Sequence, residues 1–450
     1  MGSLKVKDNS PICKYKVDSA ISKIKEKILD KTLEHLFLDD VFFLPEQIKE
    51  ANDLSKHQLI LRSSRSNLLE YKTGNLMGFL NYMDESFIIS SRFSDENNDF
   101  FLLYVLRKVL GMPNTVNMWA NANHEIQLFN FLIYLFPFYL KNAMRKGIFR
   151  EYIRYQYNDK NVKGTVDIAR HIKKNTPFTG NIAYSQRELS SDNSLMQLVR
   201  HTIEFIKKEP WGQNILAKAK DEIRLITETT SNYKPSDTQR LIAQNIRKSV
   251  THAYFSEYRK LQRLCLLILQ NTKTQICSGS NQVYGILFDG SWLWEEYLGT
   301  IIGHIFYHPN NRKKEHREYL FEQLQGEIYP DFIGKDKKHR MILDAKYKFR
   351  EKNDNKDYFQ LLAYMFRFES NLGFCVYPEI GVSKEDLLIL DQGLKYEDDV
   401  SQRREDIVIR KYGLNIPTGC ENFEDFTAEM EKSEQEFLNT LLKHSRYSKL

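Results

Sequence analysis

The pattern of apolar and polar positions divides the chain into a β-rich beginning, a mainly helical middle and a mixed end. Short apolar runs at 74–80 and 87–90 predict two strands joined by a turn,. A helix is expected to follow, with Asn98 or Asp99 as its N-cap,. Residues 1–120 are therefore expected to form a small domain built on a sheet.

Residues 121–278 are expected to be mainly helical. The most apolar run, 126–140, is shorter than a bilayer span and is interrupted by Asn130 and Pro137, so it predicts a buried helix,. Other segments of this region show clear periodicity. Helices are predicted at 195–208 and within 236–269, and strands at 162–168 and 181–188,.

Residues 279–450 contain segments with helical periodicity and segments with strand periodicity. One helix is predicted from Trp292 to about His304, and another opens at Asp357,. Between them, two apolar runs within 329–350 flank a basic turn, which predicts a β-hairpin,. The expected fold class is α+β and multidomain, with a mixed sheet flanked by helices at the end. Three domains are predicted, over 1–120, 121–278 and 279–450.

The composition is that of a globular protein with a mild positive charge. Hydrophobic residues make up 42% of the 450 residues and the net charge is +6, so nucleic-acid binding has to be argued from local clusters,. The five cysteines are scattered without metal-ligand spacing, as expected of thiols in a reducing compartment,. No apolar leader begins the sequence and no membrane association is predicted, so a cytoplasmic protein is expected.

The predicted hairpin carries two carboxylates and an ammonium group. Asp331 is predicted on its first strand, and Asp344 and Lys346 on its second, where a period of two puts both on one face,. Burying such groups among apolar neighbours is costly unless a partner compensates them. A divalent cation would do so, because Mg²⁺ binds one or two carboxylates together with water and phosphate. The alternative is a solvated hairpin that carries charges.

The two flanking helices add candidate residues. On the helix after the hairpin, Gln360 and Tyr364 are four positions apart and share a face,. The alternative for Tyr364 is ordinary helix packing. On the helix before the hairpin, Glu295 lies closer to the apolar face than Glu296, for which a solvated position is expected,.

This set of residues resembles the motifs of the PD-(D/E)XK nucleases. The motif would be carried by Pro330-Asp331 and Asp344-x-Lys346, and Gln360-x-x-x-Tyr364 is similar to an element of the RecB-like branch. The resemblance implies a C-terminal α/β nuclease core. It also implies that Gln360 and Tyr364 support the site or the DNA backbone.

The same resemblance implies a role for each hairpin residue. Asp331 and Asp344 would ligate Mg²⁺, with Mn²⁺ as an alternative ion. The carbonyl of Ala345 would be a third ligand, and Glu295 would shape the site through water or a second ion. Lys346 would orient the attacking water and stabilise charge on the phosphate.

Motifs in the middle region extend the resemblance to one family. They are Gly147…Tyr152, Gly164-Thr-Val-Asp167, Arg187-Glu188-Leu-Ser-Ser-Asp192-Asn193 and Tyr254…Tyr258-Arg-Lys-Leu261. With the nuclease residues behind them, they resemble the McrC family over about residues 70–415. That family comprises the nuclease subunits of McrBC-type and LlaJI-type restriction systems.

The resemblance implies a division of labour between subunits. Such proteins cut double-stranded DNA with Mg²⁺ when assembled with a GTP-hydrolysing McrB-like AAA+ hexamer, in defence against foreign DNA. This chain has no Gly-x-x-x-x-Gly-Lys-Ser/Thr phosphate loop, so GTP would act only through that partner,. Residues 1–120 would dock the partner and 279–450 would be the nuclease. Two alternatives remain open: a free-standing nuclease, and a mainly non-catalytic activator of the partner's GTPase.

Basic residues and histidines around the hairpin are further candidates. A DNA-steering role is predicted, beside the alternative of a merely soluble turn, for Lys335, Lys337, Lys338, Arg340 and Lys348,. His304, His308 and His316 suggest a zinc site. Pro309 breaks the helix and no cysteine is near, so zinc is disfavoured,.

Overall fold

The computed structural model describes residues 2–9, 13–15, 22–38, 40–44, 60–63, 69–83, 85–95, 99–110, 124–271, 283–309, 318–351, 355–393 and 402–447. Helices and mixed sheets build more than one compact unit, so the predicted α+β, multidomain fold class is confirmed. Met1–His124 and Ser278–Leu450 form one unit, and Glu125–Cys277 form the other. The predicted ranges 1–120 and 279–450 thus share a unit.

The elements are numbered in chain order. The strands are β1 (Gly2–Lys7), β2 (Cys13–Tyr15), β3 (Asp40–Leu44), β4 (Leu61–Ser63), β5 (Leu69–Tyr71), β6 (Leu76–Tyr82), β7 (Glu85–Ser90), β8 (Glu151–Asp159), β9 (Thr165–Val166), β10 (Ile182–Ser190), β11 (Tyr284–Asp289), β12 (Phe306–Tyr307), β13 (Glu318–Phe321), β14 (Gln325–Ile328), β15 (Phe332–Gly334), β16 (Met341–Ala345), β17 (Leu372–Ile380), β18 (Lys384–Gln392) and β19 (Gln402–Ile416).

The α-helices are α1 (Ser22–Ile28), α2 (Leu33–Leu38), α3 (Phe100–Val109), α4 (His124–Met144), α5 (Ile168–Lys174), α6 (Ser194–Ile206), α7 (Gly212–Leu216), α8 (Lys220–Thr229), α9 (Thr238–Arg247), α10 (Ser256–Asn271), α11 (Gly290–Ile302), α12 (Asn355–Arg367) and α13 (Phe423–Tyr447). Short 3₁₀ helices lie at Ala217–Ala219, Pro235–Asp237 and Ala253–Phe255.

A five-stranded sheet joins the beginning of the chain to a strand from its second half. Its order is β1-β7-β6-β11-β3. The late strand β11 pairs antiparallel with β6 and parallel with β3, so it lies inside a sheet whose other strands precede residue 91. Helix α3 follows, and the Asp99 side chain accepts a hydrogen bond from Leu102 N, as expected of an N-cap,.

A six-stranded mixed sheet of order β12-β15-β16-β17-β19-β18 carries the predicted hairpin. β15 and β16 are antiparallel, whereas β16, β17 and β19 run parallel. Helix α12 packs against β16 and β17, where Ile342 and Cys375 form a buried core with Leu361 and Met365. Helix α13 packs against β19, and α11 against β16. This arrangement is a mixed sheet flanked by helices, as predicted.

The buried carboxylate of Glu434 ties three of these helices together. It accepts hydrogen bonds from Tyr104 Oη (2.7 Å) on α3 and Tyr297 Oη (2.9 Å) on α11. Lys108 Nζ donates to its other oxygen at 2.9 Å. Since a buried carboxylate without partners would be costly, this satisfied cluster fixes the position of α11, the helix that carries Glu295.

The second unit contains helices and the three-stranded antiparallel sheet β8-β10-β9. The predicted apolar helix is α4, and α6 begins after Asn193, whose side chain accepts from Met196 N. The helical region predicted at 236–269 is divided into α9 and α10. Within the described part of the chain, no helix is both long and apolar enough to cross a membrane.

Candidate functional site

The hairpin brings the two aspartates to one end of the six-stranded sheet. Asp344 lies near the end of β16. Asp331 directly precedes β15, whereas the sequence predicted it on the strand. The backbone N–H of Ala345 donates to Asp331 Oδ2 at 2.8 Å. The first aspartate is therefore held against the strand that carries the second.

Lys346 faces the same site. Its Nζ lies 2.6 Å from Asp344 Oδ2, in agreement with the predicted shared face. The same ammonium group lies 3.3 Å from Asp357 Oδ1 and donates to Gln360 Oε1 at 3.4 Å. Because the Lys346 side chain is only 15% exposed, these contacts fix the ammonium group beside Asp344.

Helix α12 supplies one edge of the site. Gln360 Nε2 donates to Tyr364 Oη at 2.7 Å, so these two residues share a face as predicted. Asp357, one turn earlier, forms ion pairs with both Lys346 and Lys348. No role was predicted for Asp357 from the sequence, although its spacing of three from Gln360 places both residues on one helix face.

Burial and like charge raise the proton affinity of both aspartates. Burial raises the pKa of Asp331 to about 7, with a further contribution from the charge of Glu295. The pKa of Asp344 is also raised to about 7, mainly by burial, while Lys346 opposes the shift and Asp331 adds to it. Burial alone would lower the pKa of Lys346, but Asp344 and Asp331 raise it, so the ammonium group stays charged.

The adjacent glutamates of α11 differ in environment. The Glu295 side chain is 19% exposed and that of Glu296 is 39% exposed. Glu296 accepts a hydrogen bond from Trp292 Nε1 at 3.0 Å, whereas the sequence predicted a side chain that contacts only solvent. The negative charge of Glu295 contributes, after burial, to the raised pKa of Asp331.

His308 is a neighbour of the site that the sequence suggested only as a disfavoured zinc ligand. Its Nδ1 lies 2.9 Å from the carbonyl oxygen of Asp331 and 3.9 Å from Glu295 Oε1. Its Nε2 lies 3.8 Å from Glu296 Oε1. Burial would lower the pKa of His308, but Glu296, the Asp331 carbonyl and Glu295 raise it to about 9. His304 is exposed, and His316 lies outside the described residues.

The residues present fit a hard divalent cation held by two carboxylates. No three His, Cys, Asp or Glu side chains of the described residues group closely enough to hold a metal ion. Mg²⁺ does not require such a cage, since it keeps several waters and takes one or two carboxylates. Asp344 Oδ2 is buried and forms an ion pair with Lys346 at 2.6 Å. An ionised carboxylate has about four lone-pair sites, so this ion pair leaves others for a cation.

The basic residues predicted to steer DNA are not equivalent. Lys335, Lys337 and Lys338 are exposed, and Arg340 is half-buried. Lys335 Nζ donates to the carbonyl of Gly303 at 2.6 Å, which ties it to the end of α11. Lys348 forms its ion pair with Asp357. Lys337 and Lys338 thus remain the best placed to meet a polyanion.

The profile of one protein family matches more than half of the chain. That family is described as the McrBC 5-methylcytosine restriction system component, and the match extends over residues 71–378. The chain belongs to the McrBC family. The family membership suggested by the sequence motifs is thereby confirmed, and the match includes the McrBC hairpin with Asp331, Asp344 and Lys346.

Two solved structures from Thermococcus gammatolerans are similar to this McrBC chain. One is a refined half-complex from the tetradecameric assembly of McrB AAA+ hexamers with bound McrC, at 14% identity and a TM-score of 0.47, covering 98% of this chain and 100% of that chain. The other is the McrBC complex, at 13% identity and a TM-score of 0.31, covering 67% of this chain and 87% of that chain. The comparison with curated proteins gave no match.

Proposed function

We propose that this chain is the Mg²⁺-dependent endonuclease subunit of a McrBC-type restriction system, hydrolysing phosphodiester bonds of double-stranded DNA together with a McrB-like AAA+ GTPase. The observation that carries the proposal is the pair of aspartates, half-buried Asp331 and buried Asp344, with Lys346 held 2.6 Å from the second of them. Family membership makes a restriction substrate the natural context for this geometry.

Asp331 and Asp344 would hold the cation, with the Ala345 carbonyl as a further ligand and Glu295 acting through water. When bound, Mg²⁺ (or Mn²⁺) supplies charge neutralisation at the phosphate and lowers the pKa of bound water. The raised pKa values of both carboxylates favour this, because a divalent cation would compensate the burial and the neighbouring like charges that otherwise hold protons on them,.

The chain's own residues then do the positioning. Lys346 stays positively charged and lies 2.6 Å from Asp344 Oδ2, so it can orient a water and stabilise negative charge on the phosphate,. Gln360 accepts a hydrogen bond from the ammonium group of Lys346 and donates one to Tyr364 Oη. Exposed Lys337 and Lys338 would contact the DNA backbone,.

The chain lacks a phosphate loop of the Gly-x-x-x-x-Gly-Lys-Ser/Thr type, so GTP would act through the partner,. The deciding experiment is cleavage of plasmid DNA, with and without 5-methylcytosine, by the full chain with Mg²⁺. The reactions contain or omit a McrB-like GTPase and GTP. Asp344→Asn is the inactive variant, and Asp336→Asn, in the exposed turn of the same hairpin, is its matched control.

Cleavage only with the GTPase and GTP, lost in Asp344→Asn and kept in Asp336→Asn, is the expected result. Cleavage by the chain alone would support the nuclease activity but contradict its dependence on the McrB-like GTPase. Stimulation of the GTPase by both variants, without any DNA cleavage by the wild-type chain, would replace the proposal with a non-catalytic activator.

A further inference from the structure

The position of His308 is fixed by two features of the fold. It directly follows β12, the edge strand that pairs antiparallel with β15. Its ring stacks on Phe332, the first residue of β15, with 4.6 Å between ring centroids and 23° between planes. The imidazole therefore lies flat against the residue that follows Asp331.

One hydrogen bond joins the ring of His308 to the backbone of the site. Nδ1 is 2.9 Å from the carbonyl oxygen of Asp331, and a carbonyl oxygen can only accept,. Nδ1 must therefore carry a hydrogen and donate it. The backbone of Asp331 precedes β15, so this bond from the imidazole restrains a segment that the strand ladder does not reach.

The same ring also faces the acidic helix. Its two nitrogens lie 3.9 Å from a carboxylate oxygen of Glu295 and 3.8 Å from one of Glu296. Lys346 lies on the Asp344 side of the site, at 2.6 Å. The acidic residues are thus flanked by a lysine at Asp344 and by a histidine at Asp331 and Glu295.

We propose that His308 is a positioning residue of the divalent-cation site, which orients Asp331 through its backbone carbonyl and keeps the Glu295 carboxylate directed at it. The inference rests on the proposed function, since it assigns His308 to the same cation site. Hydrogen-bond partners that orient ligands are worth about 10- to 100-fold in metal affinity. His308 would have this effect without touching the ion.

Side-chain isosteres separate the contacts of His308. In His308→Asn the amide nitrogen takes the place of Nδ1 and can still donate to the Asp331 carbonyl. In His308→Gln the amide reaches the place of Nε2 instead, and His308→Phe keeps only the stacking on Phe332. His304→Gln, at the exposed histidine beyond the end of α11, is the matched control.

The primary measurement is calorimetric titration of Mn²⁺ into the full chain, with the Mg²⁺ midpoint of DNA cleavage by the complete system as a second readout. His308→Gln and His308→Phe are expected to weaken cation binding by about tenfold or more. His308→Asn should stay within about threefold of wild type, and His304→Gln should equal it. Such rescue by asparagine alone would not arise from a general loss of packing.

Binding of Mn²⁺ by His308→Phe or His308→Gln as tight as by wild type would overturn the inference and leave the proposed function intact. If His308→Phe does not fold, the Asn and Gln variants decide, and equal affinities for these two would overturn it. Absence of Mn²⁺ binding by the wild-type chain would overturn the inference and the proposed cation site together.

Discussion

The hydroxyl group of Tyr347 lies 3.0 Å from Ser91 Oγ. Tyr347 is buried, and the guanidinium group of Arg92 lies 4.7 Å from its ring centre. The preceding residue, Lys346, instead forms an ion pair with Asp344. Since Ser91 directly follows β7, the segment that carries the site lysine is anchored to the N-terminal sheet by the very next residue.

Removing the Tyr347 ring should destabilise the chain and impair cleavage. Tyr347→Ala is expected to lower the free energy of unfolding by about 3–5 kcal/mol, because it empties a buried aromatic site. Tyr347→Phe loses only the hydroxyl contacts and should cost about 1 kcal/mol. Urea unfolding measures both. Tyr152→Ala, at a tyrosine that is 61% exposed, is the control and should change little. Equal losses in Tyr347→Ala and Tyr152→Ala would contradict the anchoring role.

Neutralising Asp357 should slow DNA cleavage. Asp357 pairs with both Lys346 and Lys348, so Asp357→Asn leaves two neighbouring ammonium groups without their shared counter-charge. Displacement of Lys346 should then reduce the single-turnover cleavage rate by about 10- to 100-fold. Asp336→Asn serves as the comparison, and unchanged rates in Asp357→Asn would show that Lys346 is held without it.

Glu295 and Glu296 provide a matched pair on one helix. Glu295→Gln removes the charge that acts on Asp331, and we expect a rise of about tenfold or more in the Mg²⁺ concentration needed for half-maximal cleavage,. Glu296→Gln keeps an acceptor for Trp292 Nε1 and should stay within about twofold,. The opposite ranking in a Mg²⁺ titration would make Glu296 the functional acid.

The aspartates should make the cation-free chain less stable at alkaline pH. Their pKa is about 7 in the folded chain against an ordinary 3.8, so the folded chain keeps protons that the unfolded chain has lost. The free energy of unfolding therefore falls as pH rises from about 4 to about 7, and stays low above that.

Asp331→Asn and Asp344→Asn remove this effect. Each variant should be more stable than wild type by on the order of 1–2 kcal/mol at about pH 8 in EDTA, and no more stable at about pH 4. Thermal melts at both pH values test this. Asp336→Asn should show no gain, because its backbone hydrogen bond with Lys338 lowers the pKa of Asp336. If both hairpin variants were less stable than wild type at alkaline pH, the predicted direction of the stability change would be wrong.

Cation affinity should depend on pH through the same groups. Both carboxyl groups must lose their protons to bind a divalent ion, and both have a pKa of about 7,. The affinity for Mg²⁺ is expected to fall by about tenfold or more between about pH 8 and about pH 6. Calorimetry at the two pH values measures it, and a flat affinity would place the ion elsewhere.

The parts of the site that depend on local periodicity could be predicted from the sequence. A period of two put Asp344 and Lys346 on one face, and helical spacing did the same for Gln360 and Tyr364; the observed contacts agree. The prediction of an N-cap at Asn98 or Asp99 relied on a local preference of the same kind, and Asp99 is the cap. The Mg²⁺, DNA and GTPase-partner assignments came from family resemblance and stay predictions.

The parts that depend on distant contacts could not be predicted. His308 meets Asp331 across the pairing of an edge strand only two residues long, and no periodic signal marks so short an element. Tyr347 meets Ser91, which is far away in sequence, so its anchoring role has no local signature. The insertion of β11 between β6 and β3 likewise depends on the pairing of distant strands, which the residue pattern within each strand does not determine.

The position of β11 between β6 and β3 determines when the five-stranded sheet can form during translation. Strands β3 and β6 cannot pair through β11 until residues 284–289 have been made. At a translation rate of about 5–20 residues per second, β11 is synthesised on the order of ten seconds or more after the first strands. The strand that carries Asp344 is translated later still. A nascent or prematurely terminated chain that ends before β11 thus has neither the complete five-stranded sheet nor the hairpin that carries Asp331 and Asp344.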